Sequence, residues 1–472
     1  MVILHASGII MTISIEKQKY KFFLTNFIFY SIVCYCWFLL PNPFVPVFLG
    51  LIPIGIIVII YFPVHMSLMF IVFSFFRIHE ALPILYPLHI PLLLSLATIF
   101  SMSWHIFLSK EIKPYGSQEM YAFFVFFILV FIGVTFASNR NISMDYIQST
   151  YIKIAIMIPV LIWCIREIKH FKLTLLILTS AGLLIGLIAI YNKINKIGLV
   201  EGTRVTIGRD IGSSIGDPND LSLVLLMPFS YAISLLITSK IALFHRLLGL
   251  VTAVTLFSAI IATQSRGGLL GILAVVGMVG YQRIKSKTLL FGIGGIFACA
   301  LFIFAGISGR QSGGAAEAGL DQSAMGRIHA WEAAIGMAMD NPITGVGLEN
   351  FYNNYWFYTP SWDGKNHVVH STWFGVLAET GFVGLFVFLT MVIIVFKTSI
   401  RTLRIVNSKD NKFHPVVCAI STGNFYGLLC FCVSGTFLTQ SFTWPFYILL
   451  ALTVSVSQFV NNEQDKKLYI TK

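Results

Sequence analysis

Charged residues are scarce in this chain: they make up 11% of 472 residues, while hydrophobic residues make up 57%. Ordinary soluble domains carry about 25% charge, so a soluble enzyme is excluded as the whole of the molecule. No G-x-x-x-x-G-K-[ST] or H-E-x-x-H stretch is present. The phosphate cradle of a primary ATP-driven pump and a zinc-protease helix are therefore both missing. The seven cysteines form no C-x-x-C pair and lie almost entirely inside apolar runs, which argues against a zinc site or a disulfide framework. Cys34/Cys36 and Cys430/Cys432 read as small lipid- or core-facing residues. No small-residue cleavage site follows Lys17, Lys19 and Lys21 and the first apolar run, so the first helix reads as a retained anchor. Neither cofactor nor metal is expected.

What is present is a series of apolar runs of about 18–22 residues, the span of a transmembrane helix. They lack the period-2 alternation of a membrane barrel. The expected fold is all-α, one polytopic membrane domain over 1–472 with 12–14 transmembrane helices. Helices are expected near 23–40, 43–61, 64–77, 89–108, 119–137, 148–164, 173–191, 221–239, 246–263, 267–282, 288–308, 371–397, 415–433 and 439–458. Basic residues crowd alternate loops: Lys110/Lys113, Arg166/Lys169/Lys172, Lys240/Arg246, Arg283/Lys285/Lys287 and Arg401/Arg404/Lys409/Lys412. Positive loops stay cytoplasmic, which puts both termini inside and the loops 192–220 and 309–369 outside. The net charge of +12 is thereby explained as topology, without a nucleic-acid partner.

The longer outer loop contains "DQSAMGRIHAWEAAIGMAMDNP". Asp321 or Ser323 can cap a helix there, Met325, Ile328, Ile335 and Met339 recur near its period, and Pro342 stops it. "TGVG" turns the chain before Phe351, Tyr352, Tyr355, Trp356, Phe357 and Tyr358, which read as an interfacial belt or as sugar-stacking rings. Arg266, in "TQSRGGLLG", is a functional suspect by its depth or a snorkelling hairpin residue. Arg327 sits in the first helical turn, a poor place for a cation, which suggests an external anion or a partner in Glu332 or Asp321. Arg204 and Arg209 add two cations, and several Arg forks match a pyrophosphate. Asp217, Asn219 and Asp220 read as caps of the next helix. His370 opens a helix just outside the membrane and can accept a proton, or it caps that helix. Glu379, nine residues on, is read as pairing an Arg or orienting a polar network.

The stretches "FRIHEALPILYPLHI", "SIGDPNDLSLVL", "SRGGLLG", "SAMGRIHAWEAA…NPITGVGLENF" and "HSTWFGVLAETGFVGLF" together resemble the bacterial O-antigen ligase/polymerase superfamily, closest to the exosortase-associated O-glycosylation ligases. The resemblance spans about 76–386 and implies a catalytic region over 200–400. It implies a glycan donor on undecaprenyl pyrophosphate, metal-independent transfer at the periplasmic face of the inner membrane, and functional roles for Arg266, Arg327 and His370. Arg204, Arg209 and Glu379 are expected to bind substrate. The acceptor is lipid A–core, glycan or protein, and the polyprenyl tail lies among membrane lipid. Many superfamily members carry Asn after the functional His where this chain has Ser371, as the exosortase-associated group does. Two other readings stay open: a repeat-unit polymerase, and a transporter or flippase, for which Lys153 inside a helix is the best support.

Overall fold

Among the described residues every element is helical, apart from one isolated bridge between Val200 and Arg204. The structure, a computed structural model, describes residues 27–39, 42, 44–304, 322–408 and 413–470. The chain divides into two units, residues 1–63 and 64–472. The first contains α1 (Phe27–Leu39) and α2 (Phe44–Tyr61). The α2 span has a mean hydropathy of 2.6 and buries none of its residues, so its apolar surface needs lipid as solvent.

The second unit runs from α3 (Pro63–Ser74) through α4 (Ile78–Ala81), α5 (Ile90–Ser103), α6 (Gln118–Gly133), α7 (Arg140–Tyr146), α8 (Ile152–Cys164) and α9 (Ile168–Ile194). It continues with α10 (Pro218–Ile237), α11 (Leu243–Thr263), α12 (Arg266–Arg283), α13 (Lys287–Phe304), α14 (Gln322–Asp340), α15 (Phe351–Tyr358), α16 (Thr372–Val406), α17 (Pro415–Gly435) and α18 (Trp444–Ile470). Ten helices among the described residues are long and apolar enough to cross a membrane, and three shorter apolar helices accompany them. This is the polytopic all-α architecture expected.

α10 and α17 form the centre, each with 78% of its apolar span buried. They touch one another, and α12 packs against both. Small residues allow this closeness, as in membrane helix packing generally. A Cβ on Gly423 would lie 2.3 Å from the Tyr231 ring, and one on Gly271 would lie 2.5 Å from Leu226. Polar side chains also tie these helices together: Tyr231 Oη donates to Asn424 Oδ1 at 2.7 Å, and Ser434 Oγ to the Gly267 carbonyl at 2.9 Å.

Four expectations need correction. The helix placed at 148–164 begins at Arg140, because Asn139 accepts from the amides of Asn141 and Ile142 and caps it there. The helix placed at 371–397 runs to Val406 and is broken at Gly381, with φ 69°. A Cβ at Gly381 would sit 2.5 Å from the Pro342 carbonyl oxygen, which accepts from Phe382 N at 2.8 Å. The turn after α14 is thus wedged into the break. In α14 the buried face is Ala330, Ala333, Ala334, Met337 and Ala338, whereas Ile328, Ile335 and Met339 are exposed. Alanines let α14 approach α16 closely; the large apolar residues do not face the bundle. Arg327 stands in the second turn of α14, since the helix begins at Gln322, so the dipole gives less reason to expect an external anion. The cap assigned to Asp321 and the stretch 305–321 lie outside the described residues, as do residues 23–26, Lys409 and Lys412.

Candidate functional site

The helix expected at 439–458 starts only at Trp444, and the residues before it, "TFLTQSFT" (436–443), form a loop on which the site is assembled. Thr372, at the start of α16, donates its hydroxyl to the Leu438 carbonyl at 2.7 Å. The same oxygen accepts from Gln440 N at 3.2 Å, and Ser441 Oγ donates to the Thr372 carbonyl at 2.9 Å. Gln440 Nε2 donates to Asp220 Oδ1 at the start of α10, at 2.9 Å. Gly267, at the start of α12, lies so close that a Cβ there would be 3.4 Å from Leu438 and 3.6 Å from Phe437. The Arg327 guanidinium stands over the Phe437 ring, 5.9 Å from its centroid. Three helix N-termini and one arginine therefore meet one loop. Amides and dipoles at helix N-termini favour anions.

Each helix start has its own cap. Asp217 accepts from the amides of Asn219 and Asp220, at 2.7 and 3.4 Å, as expected. Ser265 accepts from Gly268 N at 3.3 Å. Ser371 accepts from Phe374 N at 3.5 Å, so the cap of α16 is Ser371 and not His370. Asn is as good a cap as Ser. Either residue could therefore cap this helix.

His370 takes a left-handed conformation, φ 47°, between the buried Val369 and the buried Ser371. One hydrogen bond brings it to Arg327. Trp331, one turn after Arg327, donates Nε1 to the Val369 carbonyl at 3.2 Å and stacks on Phe374, centroids 5.1 Å apart. Burial first, then Arg327, and further His367 and Arg204, pull the imidazole pKa down to about 4, with Asp217 opposing. The physical cause is a half-buried ring among guanidinium charges, which disfavours a second proton-borne charge. At neutral pH the ring is uncharged and able to accept a proton.

The other sequence candidates fall in different places. Arg204 is buried, donating Nε to the Thr263 carbonyl at 3.2 Å and Nη2 to Asn219 Oδ1 at 3.0 Å. It braces the α11–α12 turn that carries Arg266 against the start of α10. Arg266 is half-buried at the first position of α12. Arg209 is exposed and holds its own turn, donating to the Gly216 carbonyl at 3.3 Å. Glu379 is buried, and its carboxylate accepts from Phe351 N at 3.4 Å. With Glu349, Tyr146 and Thr443 it lines a small cavity of about 80 Å³. Burial raises the Glu349 carboxyl above the usual range. His367 faces Asp363, with Nε2 3.0 and 3.1 Å from its two oxygens. Among the described residues no group of three or more His, Cys, Asp or Glu is placed to hold a metal.

Sequence reasoning missed the 436–443 loop. Its signal was a run of hydroxyls and one amide between two apolar spans, with nothing in local spacing to connect it to residues 65 to 220 positions away.

Residues 251–389 match the O-antigen ligase family model. The match runs from within α11 to within α16 and includes Arg266, Arg327, His370 and Glu379; the 436–443 loop, Arg204 and Arg209 lie outside it. No curated protein matches the chain. The match supports glycosyl transfer of the ligase/polymerase type, with a lipid-linked glycan and an acceptor as partners.

Proposed function

We propose that this chain, which belongs to the O-antigen ligase superfamily, moves a glycan from undecaprenyl pyrophosphate to an acceptor hydroxyl at the periplasmic face of the bacterial inner membrane. The observation that carries this reading is the convergence of His370, Arg327 and the α10, α12 and α16 N-termini on the 436–443 loop. The face is inferred from charge: the Lys- and Arg-rich loops join the opposite ends of these helices.

The acceptor oxygen attacks the anomeric carbon. The bond from that carbon to the phosphate oxygen breaks, and undecaprenyl pyrophosphate departs with the electron pair. The acceptor proton goes to the neutral His370 imidazole. Arg266 and Arg327 hold the diphosphate through their planar forks, and the helix N-termini add partial positive charge. Placement of such donors on developing charge is worth about 3–4 kcal/mol each. Arg204 is a positioning residue in this scheme, and Arg209 has no part in it. The cationic work falls to arginines, so transfer proceeds without a divalent metal, and EDTA leaves the rate unchanged.

The bound donor also tunes the base. A diphosphate beside Arg327 offsets that residue's part of the depression of His370, while the larger part, burial, remains, so the imidazole is raised only partway. A stronger base is thus produced when substrate arrives.

The test is product analysis with the purified protein, an undecaprenyl-pyrophosphate glycan and candidate acceptors. Ligation releases undecaprenyl pyrophosphate and puts the glycan on a different molecule. Lengthened lipid-linked glycan would make it a polymerase. Movement of intact donor across a vesicle membrane without bond cleavage would make it a carrier.

A further inference from the structure

Beside the catalytic loop, and not lined by His370, Arg266 or Arg327, lies the larger cavity of the second unit, about 460 Å³. That volume falls within the roughly 300–1,000 Å³ of small-molecule sites. Gln440, Asp220 and Lys153 are among the residues that line it. Lys153 lies in the Arg140–Cys164 span, is half-buried, and makes no ion pair or hydrogen bond among the described residues. An ammonium in a membrane segment without a partner is costly and marks a functional site by default.

The other charges around the cavity are already engaged. Arg77 gives its guanidinium to Glu80, whose carboxylate also receives the Ser213 hydroxyl. Asp220 accepts from Gln440. His79 is 8% exposed, and its ring is fixed by stacking on Tyr86, 6.3 Å between centroids. Its Nε2 lies 3.8 Å from Glu80, and its ring also meets the Phe73 backbone, so it is held in place as a polar group of the cavity wall. Tyr146 and Trp444 give the cavity aromatic faces suited to a sugar ring.

We propose that this cavity receives an acidic sugar of the transferred or accepting glycan, its carboxylate or phosphate held by Lys153 and its neighbouring polar atoms by His79 and Gln440. The inference rests on the glycosyl-transfer reading for its substrate class. Gln440 connects the two sites, because its amide bonds Thr372, two residues after His370. A sugar in the cavity would stand next to the reacting centre. Lys153 then selects acidic over neutral glycans, and its place inside a helix needs no transport pathway.

The test measures binding to the purified full-length protein in detergent, with methyl glucuronide, methyl glucoside and inorganic pyrophosphate as probes. Methyl glucuronide should bind and methyl glucoside should bind far more weakly. Lys153→Met should weaken glucuronide binding roughly thirtyfold or more, the size of effect seen when one member of a buried charge pair is removed. Lys153→Arg should retain binding, which guards against misfolding as the explanation. His79→Gln should cost severalfold. An Arg266→Ala/Arg327→Ala double variant should still bind glucuronide while losing transfer, so that failure of the catalytic reading and of this one are told apart. If pyrophosphate and not glucuronide depends on Lys153, the anion belongs to the lipid donor and the glycan assignment is overturned. If Lys153→Met binds glucuronide like the unaltered protein, or neither anion binds, the cavity is not an anion site.

Discussion

Two polar regions flank the 436–443 loop, and they are opposite in charge. On one side stand Arg327, Arg204 and His370, with Phe437 under the Arg327 guanidinium. On the other, Glu349 and Glu379 share a small cavity with Thr439, Ser441 and Thr443. The cationic side meets helix N-termini, whose amides favour an anion. On the acidic side Glu379 is buried and its carboxylate binds protein backbone at Phe351 N. The difference teaches that buried charge in this protein has two uses. The arginines add positive charge beside His370 and the loop, while Glu379 holds the segment that ends at Phe351 against α16.

The largest expected effect breaks the cationic side at its base. His370→Ala should reduce transfer about 10²–10⁴-fold, the usual contribution of a general base, while His367→Ala stays mild because that ring is engaged with Asp363. Purified variants assayed at saturating donor would show it. Next, Arg327→Ala or Arg266→Ala should cost about 10²–10³-fold, and Lys should rescue poorly because a point charge lacks the fork. Near-normal rates in both single variants would remove them from the site.

A smaller effect is expected where the Arg327-bearing helix is tied to the His370 segment. Trp331→Phe keeps the stacking on Phe374 but loses the bond to the Val369 carbonyl. A misplaced His370 should lower kcat by about tenfold, with KM for donor little changed. On the acidic side, Glu349→Gln should leave the rate within about twofold, because burial already holds that carboxyl toward its neutral form. A loss as large as that of the arginines would show that the acids take part in the reaction.

Much of this was legible in the sequence, for identifiable reasons. Apolar runs and the Lys/Arg asymmetry mark the helices, because lipid allows few alternatives. Arg266, Arg327 and His370 stand out because polar residues at helix starts are conspicuous in so apolar a chain. The 436–443 loop was not legible, since its value lies in bonds to Thr372 and Asp220, far away in sequence. Nor was the role of Ala330, Ala333 and Ala334: small residues give a weak periodic signal, yet they are what brings α14 onto α16. Lys153 was conspicuous, but only the cavity shows what surrounds it.

The central claim is that burial, with guanidinium charge beside it, keeps His370 uncharged and able to accept a proton, and the pH dependence of turnover tests it most directly. Protonation removes the base, so activity is lost as pH falls through the pKa of His370. In kcat/KM for donor, which reports the free protein, the acid limb should lie near pH 4, following the depressed imidazole. In kcat the limb should move up by the part of the shift that Arg327 causes and stay below about 6.5, because burial, the larger cause, persists with donor bound. An acid limb near 6.5 in kcat/KM itself, or one unchanged in His370→Ala protein, would contradict the account.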